Sequence, residues 1–98
     1  MNQYIVDFEV PAELSEEFIS LIPKHREHID ELMVTGLVLS YALSLDRSKV
    51  WATINADSES EVMSIISSFP LYHFMSATVY ELAFYNATGN GLPAISLN

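Results

Sequence analysis

Apolar residues change their spacing four times along this chain, and that series constrains the fold more than any other feature. Tyr4, Val6, Phe8 and Val10 alternate with Ile5, Asp7 and Glu9, the period-two pattern of a half-buried strand, which Pro11 ends. From Leu14 the step becomes three or four residues, through Phe18, Leu21, Ile22, His25, Ile29, Leu32 and Met33, which is one stripe of an amphipathic helix. Glu13, Glu16 and Glu17 crowd its start, where the helix dipole favours acids, and Gly36 stands where a left-handed residue stops a helix. Pro23 interrupts this run on the side away from the stripe, which predicts one bent helix rather than two.

Period two then returns twice. Leu37 to Leu45 puts Leu37, Leu39, Tyr41, Leu43 and Leu45 on one face, and Val38, Ser40, Ala42 and Ser44 on the other. After the short turn Asp46-Arg47-Ser48, a third strand runs from Lys49 to Ala56, with Val50, Ala52, Ile54 and Ala56 opposite Trp51 and Thr53. Ser58-Glu59-Ser60-Glu61 reads as a capping box, followed by a helical face of Val62, Ile65, Ile66 and Phe69 that Pro70 closes. Leu71 to Phe74 is an apolar loop, and Ala77 to Tyr85 a fourth strand.

The order is β-α-β-β-α-β, an α+β, ferredoxin-like unit: a four-stranded antiparallel sheet with two helices on one face. Residues 1–86 form the domain, and residues 87–98 are read as a C-terminal tail, either packed on a neighbouring subunit or disordered. Two helices cover one face of such a sheet. The other face is also apolar, with Tyr80, Leu82 and Phe84 on one side of the last strand and Val79, Ala83 and Tyr85 on the other. Patches of that kind mark interfaces, so a homo-oligomer is expected.

Composition narrows the function classes. Four Lys and Arg stand against 13 Asp and Glu, for a net charge of −9, which disfavours nucleic acid and anionic membrane surfaces as partners. Cysteine is absent, which excludes disulfides, thiolate metal sites and Cys nucleophiles. No apolar run approaches the roughly 20 residues that cross a bilayer. The start MNQYIVDFEVP lacks a basic segment followed by an apolar one, so it is not read as a signal peptide, and a cytoplasmic location is expected.

The run Ser67-Ser68-Phe69-Pro70-Leu71-Tyr72-His73-Phe74-Met75, with Glu61 and Ile65-Ile66 before it and a strand after it, resembles muconolactone isomerase. The likeness extends back through Gly36 and the first helix. It implies cofactor-free isomerisation of an unsaturated lactone: a base removes a proton from carbon and an acid returns it elsewhere. It also implies a large ring of subunits. No motif in the first helix fixes that family's catalytic residues on this chain. A second segment, Pro23-Lys24-His25 with Gly36 beyond, resembles the YCII-like family, whose matching His belongs to the active site. Here Ile22 and Ala42-Leu43 stand where that family has Arg and Gly-Pro. Both families belong to the dimeric α+β barrel superfamily, so both likenesses imply the same fold.

His25 is the candidate acid/base, because it lies in the apolar stripe facing the sheet and an unperturbed imidazole titrates near pH ~6.5. A core histidine bonded to a backbone carbonyl is the alternative. His28 follows on the edge of the same face, where His-x-x-His without a third ligand is a weak metal signal and solvation at a pocket rim the plainer reading. Tyr41 offers a hydroxyl to polarise a carbonyl, or simply packs. Trp51, Tyr72 and His73 complete the candidate ligand-binding set, with core or interface packing as their alternative. Asp7 and Glu9 share the less apolar face of the first strand, as solvated charges or a raised-pKa base. Lys24 and Arg26 are expected to point sideways or outward from the His25 stripe. Two functions stay open: a proton-transfer isomerase acting on a small lactone or carbonyl compound without cofactor, and a non-catalytic oligomeric module that binds a small apolar ligand.

Overall fold

Six segments have the periodicity to bury one face, and all six form helices or strands in the structure, a computed structural model that describes residues 1–88. They are β1 (Asn2–Glu9), α1 (Glu16–Thr35), β2 (Val38–Leu43), β3 (Lys49–Ala56), α2 (Glu59–Ser67) and β4 (Ser76–Glu81), with a single 3₁₀ turn at Tyr72–Phe74. The antiparallel sheet has the order β2-β3-β1-β4. Its register places Tyr4 beside Ile54, Val6 beside Ala52 and Phe8 beside Val50. These residues are buried and form one core with Ile29 of α1, Val62 and Ile66 of α2, and Phe69 just beyond. Strand parity therefore puts both helices on the same face.

The helix ends follow local chemistry. Ser15 caps α1, its Oγ accepting from the Phe18 N–H at 3.1 Å, so Glu13 and Leu14 precede the helix instead of opening it. The helix runs on through Pro23, which is exposed as its spacing predicts. Ser58 caps α2 by accepting from the Glu61 N–H at 3.1 Å. Glu61 reaches back to accept from the Asp57 N–H, one residue before the cap. Gly36 closes α1 at φ 83°, with its N–H on the Met33 carbonyl and the Leu37 N–H on that of Leu32. A Cβ at Gly36 meets nothing within 4 Å, so only backbone strain opposes one. Gly36→Ala is expected to lower stability by about 1 kcal/mol in urea unfolding, against several if side-chain packing were involved.

Three expectations are corrected. β2 is shorter than Leu37–Leu45, and its pairing shifts between Val38 and Ser40. This bulge at Leu39 turns Val38 to the helix side, opposite Ile54, where it is buried, while Tyr41 and Leu43 still face the helices opposite Ala52 and Val50. Met33 lies exposed, outside the core. β4 stops at Glu81 because β1 begins at Asn2: once the Leu82 N–H has bonded the Gln3 carbonyl, little strand remains to pair with.

The face away from the helices carries Ile5 between Thr53 and Tyr80, and Asp7 between Trp51 and Thr78. Lys49 there pairs with Asp7 at 3.0 Å and Glu9 at 3.6 Å, which makes these carboxylates partners of a surface lysine. The expected C-terminal tail lies, from residue 89 onward, outside the described residues. Among the described residues no helix is long and apolar enough to cross a membrane.

Candidate functional site

His25 occupies the middle of the α1 stripe and is 3 % exposed. A buried imidazole needs partners for both ring nitrogens. Nδ1 accepts from the Leu71 backbone N–H at 3.3 Å, and Nε2 lies 2.6 Å from the Tyr41 hydroxyl. The tautomer follows from the first of these bonds. A backbone amide only donates, so Nδ1 carries no proton; the proton sits on Nε2 and is donated to Tyr41 Oη. Tyr41 then has its own hydrogen free, since among the described residues His25 is its one hydrogen-bond partner. The Phe69 ring stands edge-on to the imidazole, with centroids 5.7 Å apart at 88°.

The electrostatics agree with this arrangement. Burial, with a smaller contribution from nearby His28, lowers the His25 pKa from 6.5 to about 4. Burial raises that of Tyr41 from 10.0 to about 12. Both groups are neutral across the physiological range, and the His25 titration expected near neutrality is displaced by the desolvation that its packing imposes.

A consequence for stability has a definite sign. Between about pH 4 and pH 6.5 the unfolded chain binds more protons at His25 than the folded chain does. The stability that depends on neutral His25 is complete above pH 6.5 and is lost as the pH falls toward 4. Urea unfolding of wild type and His25→Gln across this range checks it. Wild type is expected to lose roughly 2 kcal/mol more than the variant by pH 5 and about 3 kcal/mol more by pH 4.

The His25–Tyr41 pair forms part of the wall of a cavity of about 420 Å³. Leu14, Phe18 and Ile22 line it from α1 and its approach, and Val10, Leu43 and Val50 from the sheet side. Leu71 and Met75 close it from the connection after α2. The polar lining residues are His25, Tyr41, Arg26 and Arg47. A mostly apolar cleft with a few convergent polar groups is the usual form of a small-molecule site.

Only part of the sequence-based set meets here. His25 and Tyr41 are together, as their faces predict. Trp51 is on the far side of the sheet, opposite Ala42 and Asp7. His28 faces the end of α2 instead of the cavity: its Nε2 lies 2.8 Å from Ser68 Oγ, whose own proton goes to the Ile65 carbonyl at 2.6 Å. It shares no ligand position with His25, and among the described residues no group of three His, Cys, Asp or Glu has the geometry of a metal site. Tyr72 and His73 pack on each other at 5.3 Å in the 3₁₀ turn, while their neighbour Leu71 lines the cavity. Arg26, expected to point away, lines the cavity, and so does Arg47 of the β2–β3 turn. No sequence signal marked Arg47: its left-handed backbone, at φ 64°, shows only in the structure.

A family model described as muconolactone delta-isomerase matches residues 3–88. Comparison with curated proteins gives no match.

Proposed function

The chain belongs to the muconolactone delta-isomerase family, and from that premise we propose that it isomerises a small unsaturated lactone by proton transfer, without a cofactor. In such a reaction a base takes a proton from the saturated carbon next to the double bond that is conjugated with the lactone carbonyl. The electron pair moves into the ring, and negative charge develops on the carbonyl oxygen. A proton then returns two carbons along, so the double bond has moved and no atom is gained or lost. The enzyme's main task is to stabilise that oxyanion.

The observation that carries this reading is the His25–Tyr41 pair set in an apolar cavity. The free Tyr41 hydrogen is the donor for the carbonyl oxygen, and its bond strengthens as charge accumulates. The His25 Nε2–H, bonded to Tyr41 Oη, polarises that hydroxyl and stabilises the phenolate if the proton passes to the enolate. The pair thus supplies the acidic half of the reaction, with His25 acting through Tyr41. The Leu71 N–H on Nδ1 favours this role over that of a free acid/base of the YCII-like kind.

The test is incubation with muconolactone and related lactones in D₂O, followed by proton NMR. Double-bond migration with deuterium incorporation is expected. No turnover, or full activity in His25→Ala, overturns the proposal. One feature favours the second reading, a small-ligand binding module: no carboxylate lines the cavity beside the pair. That reading expects saturable binding by calorimetry with no proton exchange in the ligand.

We also propose that a second copy covers the open sheet face. Ile5 and Thr53 lie there beside exposed Tyr80 and Trp51. Phe84, 79 % exposed, lies beyond the end of β4. Light scattering checks this, with a monomer at micromolar concentration as the contrary result.

A further inference from the structure

The chain has four basic residues, and two of them line one cavity. Lys49 is occupied by Asp7 and Glu9. Neither Arg26 nor Arg47 forms an ion pair with a carboxylate among the described residues. No Asp or Glu lines the cavity with them. Asp46, adjacent to Arg47, is turned into its own loop: its Oδ1 accepts from the Ser44 hydroxyl at 2.7 Å, the Ser48 hydroxyl at 2.8 Å and the Ser48 N–H at 3.0 Å. In a chain of net charge −9, these are two guanidinium groups without a carboxylate ion pair among the described residues, at one mostly apolar site.

The backbone adds an independent observation. Arg47 sits at φ 64°, the one non-glycine residue with positive φ among those described. Its N–H bonds the Ser44 carbonyl at 3.0 Å, and the Ser44 N–H bonds the Lys49 carbonyl at 2.8 Å. This is a tight hairpin turn in which glycine would relieve the strain. A strained position holding the bulkiest cation, and holding it at the cavity, points to a requirement of the site rather than of the turn.

We propose that Arg26 and Arg47 are the specificity-determining residues of this cavity, reading a carboxylate on the ligand while Tyr41 takes the carbonyl oxygen at the other end. The guanidinium fork suits a carboxylate, meeting both of its oxygens where a lysine offers a point charge. The lactone half of this arrangement rests on the isomerase reading; the anion-reading half does not.

Two probes separate the possibilities: muconolactone, which carries a carboxylate, and its methyl ester, which is neutral. Wild type is expected to bind the acid at least ~10-fold tighter than the ester by calorimetry, despite its negative charge. That preference is expected to shrink in 0.5 M salt. Arg47→Gly and Arg26→Gln are each expected to cut the acid-to-ester ratio by about 10-fold, the loss falling chiefly on the acid. Arg47→Gly should fold with an unchanged or higher Tm, because it relieves the turn. Equal binding of acid and ester by wild type overturns the assignment, as does a ratio unchanged in both variants. Arginine-dependent preference without isomerisation leaves the assignment standing and removes the proposed reaction. Isomerisation with an arginine-independent ratio does the reverse.

Discussion

Tyr41→Phe is expected to lower kcat on a lactone substrate by about 10²–10³-fold while changing KM little, since a donor aimed at a developing oxyanion acts chiefly in the transition state. The ring remains, so packing between β2 and α1 is kept. What disappears is the hydroxyl that receives the His25 Nε2–H at 2.6 Å and offers its own hydrogen to the cavity. The stability loss is expected to stay at about 1–3 kcal/mol, the range for one buried donor left without its partner. Wild-type kcat is expected to show no inflection from His25 near pH 6.5, because its pKa lies at about 4 and that of Tyr41 at about 12. Steady-state kinetics across that range provides the check. A Tyr41→Phe enzyme within about 3-fold of wild type rules Tyr41 out as the oxyanion donor.

Phe69→Ala is expected to produce the largest loss of stability, about 3–5 kcal/mol. The ring is 2 % exposed and packs against Phe8 at 5.9 Å and edge-on to His25 at 5.7 Å. It joins the sheet, α1 and the end of α2, so a cavity there cannot be filled by moving one element alone. Against the 5–15 kcal/mol typical of a domain, this loss corresponds to a fall in Tm on the order of 15–30 °C. Differential scanning calorimetry measures it, and a loss under about 1 kcal/mol shows that the neighbours can close the gap. The change should also be felt at the site. Leu71, two residues beyond Phe69, supplies the N–H that holds Nδ1 unprotonated. With that amide displaced and water admitted, the His25 pKa should climb toward 6.5, which proton NMR of the imidazole reads directly.

The elements and their inward faces are written in the sequence because their causes are local. Alternation at Tyr4, Val6 and Phe8 sets which side of β1 is buried, whatever its neighbours are. Ser58 with Glu61, and Gly36 after Met33, set helix ends through atoms a few residues apart. The inward placement of His25 follows from the phase of the α1 stripe. The Ser67–Met75 run, through its likeness, pointed to the family.

The site's chemistry was decided at longer range. The tautomer of His25 depends on the backbone N–H of Leu71, 46 positions away, which no side-chain pattern announces. The inward turn of Val38 depends on a bulge against β3, and the end of β4 on where β1 begins. Arg26 and Arg47 reach one cavity only because α1 and the β2–β3 turn converge there. Periodicity reports which face of an element is buried, since that depends on neighbours along the chain. Which donor meets which acceptor across the core depends on how whole elements are placed, and that is settled only when the sheet and helices pack.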